Sequence, residues 1–105
     1  MVSFMSIRYL RTEESRERCA ESGWYAFDLI LSEGMDDDFI RSRRQVGGSF
    51  LYLPQLKQPF FKIESDYYML KGVRGNDFFR MAVHGEHTDE VRRVEQMLRQ
   101  NENGD

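Results

Sequence analysis

The chain has 105 residues, 40% hydrophobic and 31% charged, which suffices for one domain with a modest core and is too apolar for general disorder. Apolar stretches such as Trp24–Phe27 and Leu29–Leu31 stop far short of the roughly 20 residues a membrane-crossing helix needs. The single cysteine, Cys19, excludes an internal disulfide and suits a reducing compartment, and the formal net charge is only −3.

From the N-terminus, Val2–Leu10 alternates with Met5, Ile7 and Tyr9 on one side, which predicts a strand. The opening MVSFMSIRYLR has no basic stretch followed by a long apolar one, so no secretory signal is expected and the cytoplasm is the expected location. Thr12 is a good helix N-cap, and Glu13 and Glu14 suit a first turn. Ala20, Trp24, Phe27 and Leu31 then form one helical stripe, so a helix is expected from about 12 to 32, stopped at Gly34. Tyr25, Phe27, Leu29 and Leu31 also alternate, which keeps a strand over 24–31 open as the alternative.

Met35–Asp38 reads as an acidic turn, Phe39–Val46 as a strand, and Gly47-Gly48 as a hairpin-type turn into Ser49–Leu53. Pro54 and Pro59 bracket a connector. Phe60–Ser65, Tyr67–Val73 and Phe78–His84 follow as strands, the last two joined by the turn Arg74-Gly-Asn-Asp77. Thr88 caps a final helix with Val91, Val94, Met97 and Leu98 on one stripe, and 101–105 is expected to fray. The fold class is therefore α+β: a single antiparallel sheet of four to five strands with two helices packed on one face, in the order β-α-β-β-β-β-α.

Charge divides by segment: residues 1–38 carry a net −5, residues 39–83 a net +5, and residues 84–105 a net −3. The basic segment is also the β-rich, aromatic one, and such asymmetry speaks about partners. If Phe61, Ile63, Tyr68, Leu70, Phe79, Met81 and Val83 meet the helices, alternation leaves Phe60, Lys62, Glu64, Tyr67, Met69, Lys71, Phe78 and Arg80 on the other face. An uncovered patch of rings and cations marks an interaction site. The expected role is a non-enzymatic binding domain, with two faces or two sheet edges meeting in a homo-oligomer, most simply a dimer, or with another protein seated there. The alternative is single-stranded RNA or DNA, bases stacking on the rings and Lys62, Lys71 and Arg80 meeting phosphates. The overall acidity argues against a strong polyanion binder.

Three motifs carry other chemistry. Arg41, Arg43 and Arg44, with Arg74 in the glycine-rich turn, could bind an oxyanion, although neighbouring acids offset the first three. His84-Gly-Glu-His87 supplies two imidazoles for a metal-dependent enzyme, without a separated second pair of ligands. Cys19 between Arg18 and Ala20 reads as a packing residue rather than a nucleophile. No nucleotide-cradling or zinc-protease motif occurs, so no cofactor is expected and no catalytic residue is assigned.

Overall fold

The computed structural model describes residues 7–15 and 23–102, and six strands among them build one antiparallel sheet. In chain order the elements are β1 (Tyr9–Glu14), β2 (Trp24–Leu31), α1 (Asp37–Ser42) with a 3-10 turn over Arg43–Val46, β3 (Ser49–Leu53), β4 (Phe60–Glu64), β5 (Tyr68–Val73), β6 (Phe78–His84), a 3-10 turn over Gly85–His87, and α2 (Asp89–Glu102). Across the sheet the order is β1-β2-β6-β5-β4-β3. The fold is α+β with a single antiparallel sheet, as expected, but the strand count is six rather than four to five.

Two expected elements are replaced. In its described part, the expected helix over 12–32 is the end of β1 and the whole of β2. Thr12 caps no helix there; its hydroxyl donates instead to Glu95 on α2. β2 lies between β1 and β6, with Leu29 and Leu31 buried on the covered side and Asp28 and Ile30 on the other. The expected strand over Phe39–Val46 is α1 and its 3-10 turn. Asp36 caps α1 by accepting the Phe39 N–H at 2.8 Å, with Asp37 and Asp38 in the first turn, where the helix dipole favours them. The order is therefore β-β-α-β-β-β-β-α. Most of the strand expected over Val2–Leu10, and Cys19, lie outside the described residues. α2 follows the expected stripe and runs on to Glu102.

Topology decides which side is covered. The chain leaves β2 and must pass β6, β5 and β4 to reach β3, a span of about 19 Å at four strand spacings. That connection carries α1. Its start is pinned to the β5–β6 turn, where Met35 N–H donates to the Asn76 carbonyl and Gly75 N–H to the Met35 carbonyl, both at 2.9 Å. Gly34 stops no helix either; a Cβ there would collide with the Gly75 carbonyl oxygen. Phe39 and Ile40 of α1 share one buried cluster with Val91, Val94 and Leu98 of α2 and with Leu29, Phe61, Ile63, Leu70, Phe79, Met81 and Val83 of the sheet. The seven side chains expected to meet the helices, from Phe61 to Val83, are all within 5% of complete burial.

Candidate interaction surface

The far face of the sheet is built by the alternate residues of the same strands, and register sorts it into rows. One row is apolar: Leu53, Phe60 and Val73 are paired across β3, β4 and β5, and Phe78 with Ile30 across β6 and β2. The next row runs from edge to edge as Leu51, Lys62, Lys71, Arg80, Asp28 and Glu13. A third holds Glu64, Met69, Ala82 and Ala26. Phe60, Lys62, Met69, Phe78 and Arg80 are half-buried, Lys71 is exposed, and Tyr67 keeps 46% of its surface. Six of the seven expected partner-binding residues thus share this face within strands, and Tyr67 stands just before β5.

Like charges directly opposed on neighbouring strands destabilise a sheet, and Lys62, Lys71 and Arg80 are three in a row. The face offsets most of this itself. Arg80 Nε meets Asp28 at 2.8 Å, and Lys62 Nζ meets Glu64 at 3.4 Å. Lys71 has no ion-pair or hydrogen-bond partner among the described residues.

At one end of the face aromatic and imidazole rings form a chain. Trp24 stands edge-on to His84 at 5.8 Å between centroids, His84 and His87 are 5.9 Å apart, and His87 stacks on Tyr67 at 3.8 Å. His84 Nδ1 accepts the Glu86 N–H at 3.2 Å, which caps the 3-10 turn and occupies one of its two ring nitrogens. The structure brings the two histidines together, but among the described residues no group of three or more His, Cys, Asp or Glu could hold a metal ion.

The four arginines of the anion-binding alternative do not form one fork. Arg74 pairs with Asp37 at 3.2 Å, and Arg41 lies over the Tyr52 ring at 5.2 Å. The Tyr52 hydroxyl also donates to Asp37; that bond and the one from Arg74 hold the Asp37 carboxyl below its ordinary value. Arg44 is exposed. Arg43 is 1% exposed, with its guanidinium over the Phe39 ring at 4.2 Å and Nε donating to the Phe39 carbonyl at 3.1 Å. Its Nη2 has no partner among the described residues, and burial pulls the guanidinium down to about 10.

Sequence reasoning missed Ile30, Val73 and Trp24 on this face, and alternation alone left open whether strand 49–53 adds Leu51 and Leu53 or Phe50 and Tyr52. The period-two alternation of residues 24–31 carried the signal for Trp24 and Ile30, and the strand Ser49–Leu53 carried it for the leucines, whose face needed the β3–β4 register to fix. Comparison with known protein families, with curated proteins and with solved structures finds no match.

Proposed function

We propose that this chain is a non-enzymatic interaction domain that associates with a second copy of itself through its sheet, one side of which the helices leave uncovered. The observation carrying this reading is the one-sidedness of the sheet: both helices join the buried cluster on one face, while Phe60, Phe78, Ile30, Val73 and Leu53 form an apolar row on the other that no helix covers and that is only partly buried. Strands of five to eight residues, six abreast, outline a face of roughly 400–700 Å² before side-chain relief is counted.

Charge favours a polypeptide over a polyanion. Arg80 and Lys62 already meet carboxylates, so a nucleic acid strand would have to displace Asp28 and Glu64 to reach them. A near-balanced, apolar face suits another copy of the chain without such displacement. The metal-dependent alternative has two imidazoles and no third ligand among the described residues.

Light scattering at low ionic strength and at about 0.5 M salt, with and without a mixed single-stranded oligonucleotide, tests the reading. The expected result is twice the 12.5 kDa chain mass at both salts and no oligonucleotide bound. A chain that stays at 12.5 kDa and binds the oligonucleotide with steep salt dependence would falsify it.

A further inference from the structure

We infer that two copies join edge to edge through β3, each strand pairing antiparallel with its counterpart about a two-fold axis at Leu51, so that two sheets merge into one. This rests on the self-association reading and assigns the contact to the sheet's border rather than to face-against-face stacking.

The two borders of the sheet differ. β1 is protected in the ways natural edge strands are. It carries Arg11, Glu13 and Glu14, with Arg11 and Glu13 bridged at 2.6 Å, and its register is broken between Tyr9 and Arg11. The core behind it is closed by α2, since Tyr9 is 9% exposed and its hydroxyl lies 2.6 Å from Thr12 and 3.2 Å from Glu95.

β3 has none of this. Its sequence, Ser-Phe-Leu-Tyr-Leu, has no charge and no register break along β4. Apart from the Leu53 carbonyl accepting the Leu56 N–H, no backbone group of β3 bonds outside β4 among the described residues. Leu51 keeps 47% of its surface and Leu56, in the loop that follows, 41%. Phe50 and Tyr52 pack against the core yet remain half-buried, so the core is incompletely closed at this end.

The strand also complements itself. With Leu51 opposite Leu51 of the second copy, Phe50 falls opposite Tyr52 of that copy, twice, and both pairs lie on the covered side, where they close the two open core ends against each other. Aromatic pairs directly across strands are among the favourable ones. Tyr52 is already held for this by its hydroxyl bond to Asp37 and by Arg41 over its ring. A shift of one residue would send Phe50 and Tyr52 to the wrong side. The main-chain ladder supplies attraction, and the side-chain order supplies register.

Leu51→Glu tests this without disturbing the protomer. Leu51 is exposed and opposite Lys62, so a carboxylate there is accommodated within one chain, yet two of them meet on the axis. Light scattering and sedimentation should find the unsubstituted chain dimeric, Leu51→Glu monomeric with association weakened at least about a hundredfold, and Phe78→Ala still dimeric. Mixing Leu51→Glu with Leu51→Lys chains should restore a dimer, because the axis then pairs opposite charges. A Leu51→Glu chain that dimerises undiminished, or a Phe78→Ala chain that alone falls apart, overturns the edge assignment and leaves self-association standing. An unsubstituted chain that is monomeric at high concentration overturns both.

Discussion

Phe78 and Phe79 are neighbours in one strand with opposite surroundings. Phe79 is fully buried, its ring 6.4 Å from Phe39 and 6.1 Å from Phe61. Phe78 is half-buried on the far face, with the Arg80 guanidinium 5.9 Å from its ring. The covered face of the sheet is a filled interior, whereas the uncovered one is apolar surface with its charges balanced in place. Identical side chains one residue apart therefore lie in a packed interior on one side and on open surface on the other.

Substituting that pair gives the widest expected separation. Phe79→Ala should cost about 3–5 kcal/mol in urea unfolding, by lost transfer energy and an unfilled cavity. Phe78→Ala, measured on the monomer, should cost no more than about 1 kcal/mol. Equal losses would mean that the far face is sealed and the contrast between the faces is void.

Arg43 is the one charged residue buried among the described residues, and it has no carboxylate beside it. Arg43→Met should raise stability by about 1–4 kcal/mol at neutral pH, because an uncompensated charge leaves the interior. The folded-state value of about 10 lies below the ordinary guanidinium range, so between them the unfolded chain holds more protons and the native protein gains stability as pH rises. The advantage of Arg43→Met over the unsubstituted chain should accordingly shrink as pH rises above about 10. An advantage that widens there would show that the guanidinium is not penalised by burial.

Gly72 faces the covered side, where an added Cβ would stand 2.5 Å from the Phe61 ring and 2.9 Å from the Met35 terminal methyl. Gly72→Ala should cost about 1–3 kcal/mol by overpacking, read as a lower urea midpoint with unchanged slope. The smallest effect belongs to the far face: Asp28→Asn weakens a pair whose side chains are 19% and 26% exposed and should cost less than about 1 kcal/mol.

The β4-β5-β6 meander and α2 were legible because their signals are local: alternation, a glycine-containing turn at Arg74–Asp77, and one helical stripe. The face they define was legible with them. β1 and β2 were not, because Thr12-Glu-Glu has the same chemistry as a capped helix start. Thr12 instead donates to Glu95 on α2, 83 residues away in the chain, which no local pattern signals. α1 left a readable cap at Asp36, but six residues are too few for periodicity to outweigh an apparent strand. The contrast between the two sheet borders was out of reach, since strand order is set by contacts that no local pattern encodes.

Residue-resolved amide exchange, compared between a concentrated and a highly diluted sample, tests the account most directly, because it reads the sheet's border and face together. The amides of Phe50 and Tyr52, which point away from β4, should lose protection on dilution while those of β1 and β6 keep theirs. Equal exchange of those two amides at both concentrations would contradict the account.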